Sequence, residues 1–163
     1  MSSEITSQQV EDKVLKAKID KSLRHPVMFF FTSGAAWLAL SILLGVIASA
    51  KSHSPGFLGD CSLFNYGRVF NAHMATFIYG WGAQAAFGVI IWLMARLSRQ
   101  EAKKAGIILA IGHVWNIVIG AGTIGILLGE GTGKAWMYFP NFVWPLLLEY
   151  FCLTPRQFQK KYH

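Results

Sequence analysis

The chain has 163 residues, of which 53% are hydrophobic and only 14% charged, with a mean hydropathy of +0.39. Soluble domains carry about 25% charged residues, so an ordinary soluble domain is excluded and a membrane protein is implied. The net charge of +7 is concentrated at the ends of apolar runs, which makes it a topology signal and leaves no need for a nucleic-acid partner.

Residues 1–25 form a polar amino-terminal segment. From Glu11 to Arg24 acids and bases alternate, with Val14, Leu15, Ala17, Ile19 and Leu23 at rough helical spacing. That pattern predicts a short amphipathic helix on the membrane surface, a partly ordered polar tail being the plain alternative. The first apolar run starts after about 25 residues and lacks a short core with a small-residue cleavage site, so it is not a secretory signal peptide. Uncharged stretches follow at 26–50, 69–95 and 105–129, each longer than the roughly 20 residues that cross a bilayer as helix. A fourth stretch, 135–154, is interrupted by Pro140 and Pro145 and contains Glu149. Residues 155–163 read as a polar tail. The fold class expected is all-α, an integral membrane helical bundle with three to four transmembrane helices spanning 26–154.

Lysines and arginines set the orientation, because positive residues beside spans are retained on the cytoplasmic side. Lys13, Lys16, Lys18, Lys21 and Arg24 precede the first span. Arg96, Arg99, Lys103 and Lys104 fill the connection after the second, and Arg156, Lys160 and Lys161 follow the fourth stretch. The other connections carry only Lys51, Arg68 and Lys134, so the N-terminus and the tail are expected to be cytoplasmic. Cys61 then lies outside and Cys152 inside, which prevents a disulfide between them. Without paired cysteines or a cysteine–histidine cluster, zinc, iron–sulfur and covalent heme sites are unsupported.

Small residues recur at four-residue spacing in Ser41, Gly45 and Ser49, in Gly112, Asn116 and Gly120, and in Gly125, Gly129 and Gly133. Such ridges predict close helix–helix contacts. The second span carries a lone histidine, His73, a turn or so inside an uncharged run. An ionisable residue at membrane depth marks a functional site by default, and neutral imidazole is a common heme-iron ligand. A buried histidine bonded to a neighbouring carbonyl is the plain alternative, and composition alone leaves both open. On α-helical spacing His73 shares a face with Thr76, Phe77, Gly80 and Gln84, so Gly80 would let a flat macrocycle approach the backbone.

The residues around His73 add a resemblance. Tyr66-Gly67-Arg68, then Ala72-His73, Thr76-Phe77-Ile78-Tyr79 and Gly80-Trp81-Gly82 resemble the second transmembrane helix of subunit I of cbb3-type cytochrome c oxidases, in the heme-copper oxidase superfamily. The segment Leu44 to Lys51 with Phe57-Leu58-Gly59, and Ile124 to Gly129 with Gly133-Lys134, are similar to the ends of that family's first and third helices. The resemblance is colinear from about Trp37 to Trp144 and is lost beyond. It implies that His73 is an axial ligand of the low-spin heme b. It further implies that Arg68 matches the arginine before the ligand, able to meet a propionate or to serve as an interfacial anchor.

The same resemblance implies that the copper ligands, the high-spin heme ligand and the second ligand of heme b lie in later helices, absent from this sequence. The chain is therefore expected to be an N-terminal fragment or split piece of an oxidase subunit I, inactive alone. Its partners would be the remaining oxidase helices or subunits, the cytochrome c subunits and the lipid bilayer of a bacterial inner membrane. A non-enzymatic membrane module that binds heme or packs against a partner is the alternative. A nitric oxide reductase-like piece shares the ligand helix, and Gly80-Trp81-Gly82 favours the oxidase. His113 differs from His73 in expected depth by on the order of 15 Å, which predicts a core polar residue paired with Asn116 or a neighbouring helix. His25, His53 and His163 fall at or beyond the interfaces.

Overall fold

The computed structural model describes residues 2–59, 61–102 and 104–148, with side chains from residue 8 onward. The elements are helix α1 (Ser2–His53), α2 (Tyr66–Ala75), a π-helical segment (Thr76–Gly82), α3 (Ala83–Ser98) and α4 (Ala105–Leu128). Among the described residues there is no β-strand beyond one isolated bridge, Lys134 with Met137. Three segments are long and apolar enough to cross a membrane: Gln8–His53, Tyr66–Ser98 and Ala105–Leu128. The all-helical membrane bundle expected from the sequence is the observed architecture. The fourth stretch turns and then forms a helix over 143–148. Its remainder, with Cys152 and the tail, lies outside the described residues.

The first helix is a single rod of 52 residues, about 78 Å at 1.5 Å per residue. Pro26 is buried inside it without ending it. Residues 8–25 therefore do not form a separate helix on the membrane surface; they extend the first span. Ile19 and Leu23, each 1% exposed, are part of the buried apolar core, with Leu15 and Ala102 packed against it. The Asp20 carboxylate takes two bonds from Arg96, Nε at 2.9 Å and Nη2 at 2.8 Å, and a third from Trp92 Nε1 at 3.2 Å. Arg99 pairs with Asp12, and the Ala102 N–H donates to Ser22 Oγ at 3.1 Å. Apolar burial and charge pairing with the C-terminal end of α3 hold this extension in line with the rest of α1.

Helix ends follow local chemistry. The Asn65 side chain caps α2 by accepting from the Gly67 N–H. The last helix, α4, closes at Gly129, whose φ of +104° suits a residue without a Cβ. There the Glu130 N–H bonds Gly125 O at 2.9 Å and the Gly129 N–H bonds Ile126 O at 3.0 Å, the pair of a Schellman motif. Gly129 thus terminates a helix, and Gly133, at φ +67° in the irregular segment that follows, is not part of a helical ridge. The chain then folds back on α4, placing Phe139 against Gly122 and Pro140 against Gly125.

The π segment interrupts the second span immediately after the histidine turn. Its wider turn bonds i to i+5, as in Ala83 N–H to Ile78 O, and side chains take carbonyls left within it. Trp115 Nε1 on α4 donates to Tyr79 O at 3.0 Å, and Gln84 Nε2 donates to Gly80 O at 2.8 Å. Irregular backbone at membrane depth needs such internal partners. Gln84, fully buried, also donates to Asn116 Oδ1 at 3.1 Å and accepts from Ser33 Oγ. Asn116 Oδ1 accepts from Trp37 Nε1 at 2.6 Å. One polar network therefore ties α1, α3 and α4 together.

Candidate functional site

His73 lies on the last α-helical turn before the π segment and meets α1 at Ser41 and Gly45. Its Nδ1 is 2.8 Å from the Ser41 carbonyl oxygen. A carbonyl only accepts, so this contact makes Nδ1 the protonated nitrogen of the neutral ring and leaves Nε2 with a free lone pair. Consistently, Ser41 Oγ donates to the His73 carbonyl at 3.0 Å. Among the described residues Nε2 has no hydrogen-bond partner. A Cβ on Gly45 would stand 3.0 Å from both Cε1 and Nδ1, so the ring occupies space that only glycine provides.

Aromatic rings flank the imidazole along one side of the second span. Phe70 and Phe77 lie 6.5 and 6.3 Å from it, centroid to centroid, and Trp81 follows Phe77 at 5.2 Å. Both phenylalanines are 40% exposed, so α1, α3 and α4 do not cover this face. An imidazole with a fixed tautomer, opening onto an uncovered aromatic face, can bind a metal whose remaining ligands come from elsewhere.

Gly80 packs differently from the expectation. It is buried under Trp37, whose Cβ and Cγ would be 2.8 Å from an added Cβ, and offers no open backbone beneath His73. The π segment uses more residues per turn, so the α-helical spacing that put Gly80 and Gln84 below His73 does not hold across it. Arg68 donates from Nη1 to Ser62 O at 3.1 Å and to Leu127 O at 3.3 Å. Through Nη1 it thereby caps the negative end of α4.

His113 is not a core residue and is not paired with Asn116. It is exposed, bonds Leu109 O of its own helix at 2.8 Å and stacks on Phe29 of α1 at 4.4 Å. Phe29 and Ser41 are twelve residues apart on α1, about 18 Å along its axis. The two histidines cannot meet at one iron. The sequence reading missed Ser41 and Gly45 as site residues, although both lie in the small-residue ridge of the first span. Among the described residues, no group of three or more His, Cys, Asp or Glu converges to hold a metal ion.

A family model for cytochrome c and quinol oxidase polypeptide I matches residues 25–154. The chain belongs to this family. As heme-copper oxidase subunit I sequence it is an integral membrane protein, and proteins of the family bind heme and copper. The match covers the first span from residue 25 onward, the whole of the second and third, and the histidine turn. No curated protein and no solved structure gave a match to the chain.

Proposed function

We propose that this chain is of the cbb3 type within the subunit I family and that His73 Nε2 is one axial ligand of a low-spin heme b. The observation that carries this reading is the tautomer: Ser41 O accepts Nδ1–H, and Nε2 faces no partner among the described residues. The donor set fits one side of a heme and does not fit a copper site. Bound there, heme would pass single electrons between cytochrome c and the oxygen-reducing centre.

The protein's own contribution is positional. Ser41 O fixes the ring and its tautomer, Gly45 leaves room for it, and Phe70 and Phe77 offer an apolar wall on either side. Arg68 would meet a propionate only through donors not engaged by Ser62 and Leu127. The second axial nitrogen and the copper ligands come from helices outside this sequence, and cytochrome c subunits are the further partners. The charge asymmetry supports a cytoplasmic N-terminus in a bacterial inner membrane.

Co-expression of the chain with the later helices of a related subunit tests the proposal. A low-spin heme b spectrum that His73→Ala abolishes and His113→Ala retains supports it. A spectrum indifferent to His73→Ala refutes it, and the absence of any heme in the wild-type assembly favours a packing module.

A further inference from the structure

We infer that the outward face of α1, where the helix enters the membrane, is a binding site for anionic phospholipid headgroups formed by Lys18, Lys21 and Arg24. Two acids of this segment are already engaged: Asp20 is held by Arg96, and Asp12 by Arg99 and Lys16. Lys18, Lys21 and Arg24 are exposed, and none has an acid within ion-pair distance among the described residues. Glu11, the nearest acid along this face, is two turns back, about 10 Å from Lys18 along the axis.

Residues three apart are neighbours on a helix, so the three cations form one slanting row rising about 9 Å. The row ends two residues before Pro26, where the apolar run begins, and Met28, 55% exposed, continues the outer surface one turn further in. Because α1 is unbroken, the stripe that faces lipid tails inside the membrane presents these cations at headgroup level outside it. Retention of positive residues accounts for how many cations lie at this end. It does not account for these three standing unpaired in one exposed row while the neighbouring acids Asp12 and Asp20 are engaged by Arg99 and Arg96. The phosphate of an acidic lipid is the ligand that meets both the charges and the depth.

The test is native mass spectrometry of the detergent-solubilised full chain with phosphatidylglycerol or phosphatidylcholine. Retention of phosphatidylglycerol over phosphatidylcholine is expected. The triple variant Lys18→Gln/Lys21→Gln/Arg24→Gln should bind it about a hundredfold more weakly, from about fivefold per cation. Lys13→Gln/Lys16→Gln/Lys134→Gln, which removes equal charge elsewhere, should bind normally. Helicity by circular dichroism confirms that both variants fold. Unchanged retention in the first variant, or equal loss in the second, overturns the site. Displacement of the lipid by inorganic phosphate at matched concentration overturns the lipid as its ligand.

Discussion

Gly45→Ala is the most informative small change, because its effect on α1 and its effect on His73 oppose each other. Alanine in place of glycine inside a helix contributes about 0.8–1.0 kcal/mol through backbone propensity. Against this, the new methyl would stand 3.0 Å from Cε1 and Nδ1 of His73, where carbon contacts prefer about 3.5–4.0 Å. Overpacking of this kind costs about 1–3 kcal/mol. A ring displaced by the missing half ångström also stretches the 2.8 Å bond to Ser41 O toward the limit of about 3.2 Å for N–H···O bonds, losing about 1 kcal/mol more. The balance is destabilising by roughly 1–3 kcal/mol. Heme retention by the assembled complex should fall about 10–100-fold, as for other lost partners of ligand histidines. Gly34→Ala is the control: its nearest contacts are ordinary, at 3.6 Å, so it should be neutral or stabilising by up to about 1 kcal/mol. Chemical denaturation followed by circular dichroism and a heme titration read both quantities. Equal behaviour of the two variants would refute the close approach of α1 to His73.

Trp115→Phe keeps an aromatic side chain but removes part of the buried indole and leaves Tyr79 O without its donor, and should destabilise the bundle by about 1–3 kcal/mol in the same denaturation assay; an unchanged midpoint would show that this bond does not support the π segment. Gly129→Ala should cost about 1–2 kcal/mol at its positive φ and also displace Arg68, whose Nη2 lies 2.7 Å from the added Cβ; unaltered stability would contradict the Arg68 cap. For topology, an impermeant thiol reagent added to intact cells should label Cys61 and not Cys152. Labelling of Cys152 alone would invert the orientation.

The three spans were legible because chain length and the gaps between charges are one-dimensional properties. The end of α4 fell where the uncharged run 105–129 stops, but Gly129 was expected in a helix-packing ridge and instead closes the helix at positive φ. What the sequence did not carry was the register between helices. Ser41 and Gly45 were recognised as small ridge residues, but only packing brings them to His73. Gly80 was misplaced because α-helical spacing was assumed across Thr76–Gly82, where Trp115 and Gln84 supply partners to π-segment carbonyls. The in-line extension of α1 was hidden likewise: Asp20 and Arg96 are 76 residues apart, and Pro26 looked like a boundary. His113 was expected inside because polar residues in spans usually find partners there, yet its ring stacks on Phe29 at the surface.

The central claim, that His73 Nε2 is an axial ligand, is tested most directly by His73→Gly in the assembled complex with exogenous imidazole. The account predicts loss of the low-spin heme b spectrum in the variant and its return on adding imidazole. A low-spin spectrum in His73→Gly without imidazole would contradict it.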